Sequence, residues 1–170
     1  MLIRCEASRD RDAITALLIE AFADHPYSHQ TEHLIVDALR LSNALTVSLV
    51  AEMEGQVVGH IAFSPVTIAD GTPHWYGLGP VSVLPAYQRT GIGSALIREG
   101  LARLKELGAQ GCCLVGHPAY YGRFGFQHVP GLGIEGVPAE AFFALSFTGP
   151  MPQGMVEFHP AFVADGSAVA

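Results

Sequence analysis

Gln88-Arg89-Thr90-Gly91-Ile92-Gly93-Ser94 joins an apolar run to a helical stripe, and the reading of this junction decides the fold. Downstream of it Ile92, Leu96, Ile97, Leu101, Leu104 and Leu107 recur at helical spacing until Gly108 stops them. A helix N-terminus leaves about four backbone N–H groups unpaired and carries roughly half a positive charge, so the junction can hold a phosphate or a pyrophosphate. Gly91 and Gly93 remove side chains that would keep an anion from those amides, and Ser94 adds a hydroxyl donor. A plain tight turn would explain the same glycines, so the flanking chain has to decide.

Upstream, Leu45, Val47, Leu49 and Ala51 alternate with polar neighbours, Glu54-Gly55 offers a turn into Val57 through Phe63, and Asp70-Gly71 leads into Trp75 through Val83. Three successive antiparallel strands are expected. Ahead of them Leu2-Ile3 reads as an edge strand, and Ser8 can cap a helix carrying Ile14, Leu17, Leu18, Ala21 and Phe22 on one face. His25-Pro26-Tyr27-Ser28-His29 breaks that helix, and Leu34, Ile35, Ala38, Leu39 and Leu41 start a second one.

Beyond the junction helix, Gly111-Cys112-Cys113-Leu114-Val115 is short and apolar, as suits a strand buried on both faces. A strand, helix, strand unit of this length implies a right-handed crossover, with strands 81–83 and 111–115 paired in parallel. The pattern then predicts helical turns over 118–123, a strand over 126–129, and strands 142–147 and 154–158 as a final pair. The fold class is therefore α/β, with a mixed and mostly antiparallel sheet. Residues 1–163 read as one domain, and 164–170 as a frayed C-terminal tail.

The strands before the junction narrow its ligand. A dinucleotide fingerprint would need a glycine where Leu96 stands and an acid near Cys112-Cys113-Leu114. A P-loop would need Gly-Lys-Ser/Thr, and no lysine precedes Lys105. Composition narrows it further. The net charge of −7 disfavours nucleic acid, and no apolar run approaches the ~20 residues that cross a bilayer, so no membrane partner is expected and a cytoplasmic location is the default. Three cysteines and eight scattered histidines form no metal-ligand spacing beyond His25 and His29, which Pro26 keeps off a helix, so no metal is expected.

Gln88-x-x-Gly91-x-Gly93, placed after antiparallel hairpins, resembles the Gln/Arg-x-x-Gly-x-Gly/Ala signature of the GNAT superfamily of N-acetyltransferases. His117-Pro118-Ala119-Tyr120-Tyr121-Gly122-Arg123-Phe124-Gly125-Phe126 is similar to that family's second block, in the form of its YhbS-like bacterial subgroup. The resemblance implies a V-shaped splay between the fourth and fifth strands, helices on both faces, and acetyl-CoA as acyl donor. It implies that Val81, Ser82 and Val83 lie against the pantetheine arm, while Gln88, Arg89, Thr90, Gly91, Ile92, Gly93 and Ser94 take the pyrophosphate. Tyr121 matches the family's general acid. Its phenol, with an ordinary pKa near 10, can donate to the departing sulfur.

The expected reaction is direct attack of a primary amine, on a small molecule or a protein, upon the thioester. A base is less legible, because Trp75 to Val83 contains no carboxylate; His117 ranks ahead of His60 and His74 for its place beside the splay. Tyr27 and His29 sit on the loop that commonly walls the acceptor site of this superfamily. Two other readings stay open, a CoA-binding sensor or scaffold without turnover and a longer-chain acyltransferase, and the sequence leaves a homodimer open.

Overall fold

Apolar alternation from Val47 onward builds the centre of a six-stranded sheet. In the computed structural model, which describes residues 1–163, its strands run β1 (Leu2–Cys5), β2 (Val47–Met53), β3 (Gln56–Pro65), β5 (Trp75–Val83), β6 (Gly111–Val115) and β8 (Phe142–Ser146), in that spatial order. A smaller sheet orders β4 (Thr67–Ile68), β9 (Gly154–Glu157) and β7 (Leu132–Gly133). The expected tail, 164–170, lies outside the described residues. Every pairing in the large sheet is antiparallel except β5 with β6. Because the short β4 intervenes, β5 and β6 are the expected fourth and fifth strands.

Helix α3 (Ile92–Glu106) covers one face, burying Ile92, Leu96, Ile97, Leu101 and Leu104 against Leu49, Ile61, Phe63, Leu78 and Cys112. Helices α1 (Arg11–Phe22) and α2 (Glu32–Leu41) cover the other, where Ile14, Leu18 and Val36 meet Val50. Adjacent Cys112 and Cys113 join the separate cores on the two faces, as residues on a doubly buried strand must. Gly100 is required on α3, since a Cβ there would collide with the Phe63 ring.

Four expectations are corrected. Parallel pairing joins β6 to Trp75, Tyr76 and Gly77, not to residues 81–83. Strands 142–146 and 154–157 do not pair with each other: β8, with Phe142, Phe143 and Ala144 buried, supplies the apolar partner that β6 needs on its outer edge, and β9, with only Val156 buried, joins the small sheet. Residues 126–129 contribute one isolated bridge, Gln127 to Ala144, instead of a strand. Finally, Asp10 and not Ser8 closes the start of the first helix. Its Oδ2 accepts from the Ala7 N–H at 2.6 Å and from Arg4 Nη1 at 2.7 Å, and the Arg4 hydrogen bond holds its carboxyl at about 2.

The splay has a local cause. Phe63 opposes Leu78 and Ile61 opposes Val81, so Gly79 and Pro80 together face the single residue Ala62. One extra residue bends the strand and reverses its alternation. Tyr76 and Leu78 share the α3 face with Val81 and Val83, and Ser82 turns to the face of α1 and α2. Past Gly77 the β5 edge has no β6 partner.

Candidate active site

The junction loop enters α3 through two residues in left-handed conformation, Arg89 at φ 64° and the N-cap Gly91 at φ 90°. Glycine is needed at 91 for its backbone, with open space where a Cβ would stand. At 93 the need is different: a Cβ would come within 3.3 Å of Tyr120 Oη. The first backbone hydrogen bond of the helix runs from Ala95 N–H to Gly91 O, leaving the amides of Ile92, Gly93 and Ser94 without an intrahelical acceptor. The Gln88 Nε2 donates to Val83 O at 3.0 Å and ties the loop to the strand. Thr90 Oγ1 donates to Tyr87 O at 2.5 Å.

These amides open into a cavity of about 550 Å³ lined by Val83, Gln88, Arg89, Gly91, Gly93 and Ser94, and also by Tyr120 and Arg123. Sequence reasoning singled out neither of the last two as site residues. Tyr120 Oη lies 3.3 Å from Ser94 Oγ, and the Arg123 guanidinium sits 4.8 Å over the Tyr120 ring. The i, i+3 spacing of Tyr120 and Arg123 was the available signal. With Arg89, this gives the cavity two guanidinium groups on a chain of net charge −7.

Strand geometry sorts the pantetheine candidates. Leu84 N–H donates to Val58 O at 2.9 Å, so two residues back Ser82 also commits its main chain to β3, in register with His60. Val81 and Val83 direct their main chains the other way, into the gap beside β6. Ser82 contributes a side chain to the opposite face, and its Oγ is buried without a partner.

Tyr121 ends α4 (Pro118–Tyr121), where its ring lies so close over Gly116 that a Cβ there would collide with it. Phe126 and Phe143 pack beside it with ring centroids at 6.2 and 6.4 Å. Gly116 follows β6, which runs parallel to β5, so this phenol stands at the splayed end of the gap. Burial, with a smaller contribution from Tyr120, pushes its pKa up to about 12, and it stays protonated at neutral pH.

His117 caps α4. Its Nδ1 accepts from Ala119 N–H at 3.2 Å, which occupies the lone pair and places the neutral ring's proton on Nε2. His74 precedes β5, at the far end from the splay. Tyr27, 79% exposed, and His29 occupy the loop between α1 and α2, and neither lines the cavity. Among the described residues no group of three or more His, Cys, Asp or Glu could hold a metal ion, and no helix is long and apolar enough to cross a membrane.

Comparison with known proteins bears on the same stretch. The sequence profile of the acetyltransferase (GNAT) family matches residues 12–126. An uncharacterized N-acetyltransferase, YhbS of Escherichia coli (strain K12), is 40% identical over 128 residues, which span 75% of this chain and 74% of that protein. Among solved structures, a GNAT family acetyltransferase from Brucella melitensis in complex with acetyl-CoA is 52% identical, with a TM-score of 0.85 over 95% of this chain and 97% of that one. E. coli YhbS in complex with CoA is 34% identical, with a TM-score of 0.85 over 95% and 91%.

Proposed function

This chain belongs to the acetyltransferase (GNAT) family, and we propose that it transfers the acetyl group of acetyl-CoA to a primary amine by direct attack on the thioester. The observation that carries the reading is the meeting, at one end of the sheet, of free α3 amides, an unpaired β5 edge and a protonated buried phenol. The amides of Ile92, Gly93 and Ser94, with the surrounding loop from Gln88 and the charges of Arg89 and Arg123, take the pyrophosphate. The main chains of Val81 and Val83 hydrogen-bond the pantetheine as an added strand would. The acetyl-CoA complex of a relative 52% identical over nearly the whole chain supports the donor.

Tyr121 protonates the sulfur as the C–S bond breaks, and recovers its proton from solvent. His117 stands at the correct end to take the amine proton, but does so only by giving up its hydrogen bond to Ala119. Tyr27 and His29 form an outer wall for the acceptor. Incubation with acetyl-CoA and a panel of small primary amines should release free CoA thiol, and the release should collapse in Tyr121→Phe. Tight CoA binding with no turnover on any amine would replace the enzyme by a CoA-binding scaffold, and faster reaction with propionyl- or succinyl-CoA would replace acetyl by a longer acyl group.

A further inference from the structure

Two adjacent phenols end α4 and point in different directions, since successive residues of a helix turn by roughly 100°. Tyr121 packs against Gly116, Phe126 and Phe143, and the reaction proposed above uses it. Tyr120 lines the cavity at the start of α3, and that reaction leaves its hydroxyl without a task.

The Tyr120 hydroxyl sits over the first turn of α3. Its Oη lies 3.3 Å from Ser94 Oγ, and a Cβ on Gly93 would come within 3.3 Å of it. The second glycine of the junction thus makes room for this phenol. To the same turn belong the amides of Ile92, Gly93 and Ser94, which have no intrahelical acceptor.

The ring is held independently of its hydroxyl. Tyr121 and Phe124 meet it edge-on, with centroids at 5.0 and 5.4 Å, and the Arg123 guanidinium stands 4.8 Å over it. Phe124, in the turn Gly122–Phe124 that follows α4, lies in its own right under Arg98 at 4.9 Å, one turn along α3 from Ser94. Two contacts a turn apart therefore dock this segment on α3, and the second needs no hydroxyl.

Counting donors shows what the pair can bind. Ser94 and Tyr120 each carry one hydroxyl proton, and only one of the two can lie between the oxygens. At 3.3 Å that contact is longer than the about 2.7–2.8 Å usual between hydroxyls, and the second proton has no other protein acceptor among the described residues. An anionic oxygen seated against the amides would accept from both. Arg89 and Arg123 line the same cavity. Three amides, two hydroxyls and two guanidinium groups match a diphosphate, whereas a neutral pantetheine chain offers nothing to most of them.

We infer that Tyr120 is a diphosphate-binding residue: its phenol, set by Ser94, donates a hydrogen bond to the diphosphate of the acyl donor and selects donors that carry this group over bare acyl-pantetheine thioesters. The inference rests on the CoA site proposed above and divides the labour of the two tyrosines. Tyr120 holds the nucleotide end of the donor, and Tyr121 acts at its sulfur.

The test measures CoA binding by calorimetry for wild type, Tyr120→Phe, Ser94→Ala, their double variant and Tyr121→Phe. It also measures kcat and KM for acetyl-CoA and S-acetylpantetheine with the amine panel. Tyr120→Phe should weaken CoA about 10-fold, with kcat at saturating acetyl-CoA and kcat/KM for S-acetylpantetheine both unchanged. Because the lost group is neutral, the deficit should persist as salt is raised, unlike that of a lost arginine. Ser94→Ala should weaken CoA as well, and the double-variant loss should be smaller than the product of the single losses. Tyr121→Phe should show the reverse pattern, a lowered kcat with normal CoA affinity. Normal CoA affinity in Tyr120→Phe, an equal loss with S-acetylpantetheine, a fall in kcat, or single losses that simply multiply would overturn the inference. A wild type that binds CoA but acetylates no amine removes the transferase reading, and the calorimetric loss in Tyr120→Phe then still supports the inference. A wild type that does not bind CoA overturns both.

Discussion

The two halves of β5 belong to one strand and are paired differently. Trp75, Tyr76 and Gly77 are paired on both edges, to β3 through Tyr76 and Gly77 and to β6 through all three, and a Cβ at Gly111 would collide with the Trp75 ring. Val81, Ser82 and Val83 are paired on one edge only. The closed half spends its hydrogen bonds on the fold, and the open half leaves its second edge without a strand partner, as the proposed pantetheine site requires. A strand that must bind a flexible chain has to remain unsatisfied when empty, and the cavity beside α3 repeats the device with helix amides.

The contrast breaks most sharply at Tyr121, which borders the open half. Tyr121→Phe should lower kcat by about 100-fold or more with little change in Tm, since only the hydroxyl is lost. Wild-type activity should also lack an alkaline limb below pH 10, because the buried phenol titrates near 12. A Tyr121→Phe enzyme of normal kcat would remove the general acid from the open end.

Gly111→Ala probes the closed half instead. Overpacking against Trp75 should destabilise the protein by about 1–3 kcal/mol, a fall in Tm of roughly 3–10 °C by thermal melt, while KM for acetyl-CoA stays at the wild-type value. A large KM effect with an unchanged Tm would dissolve the division between the halves.

Behind the open half, His60 makes stability pH-dependent. Its folded pKa, about 4, lies below the ordinary 6.5, so the neutral form belongs to the folded state. That contribution is complete above pH 6.5 and is lost as pH falls toward 4. Denaturant midpoints should decline over this window, and the decline should be shallower in His60→Gln. The smallest expected effect is at the exposed rim. Arg89→Ala should raise KM for acetyl-CoA a few-fold at low salt, with the difference shrinking as salt is added.

Much of this was legible in the chain. Gln88-x-x-Gly91-x-Gly93 announced a helix-start cradle, and the block ending in Gly125-Phe126 singled out Tyr121, by resemblance, as the proposed acid. Local geometry explains why: helix period, turn residues and positive-φ glycines act over a few residues. Ser82 was read as a main-chain contact, and the structure gives it the opposite face. Strict alternation could not show the extra residue at Gly79-Pro80, whose effect depends on Ala62 in another strand.

By itself the sequence determined the order of helices and strands, the cradle at the start of α3 and the block around Tyr121, since each is written in neighbouring residues. Only the tertiary structure decided where β5 parts from β6, that Tyr120 and Arg123 complete the cavity, and that His60 faces Ser82. Those facts join residues far apart in the chain, and pairing register and burial, which set them, are properties of the packed whole.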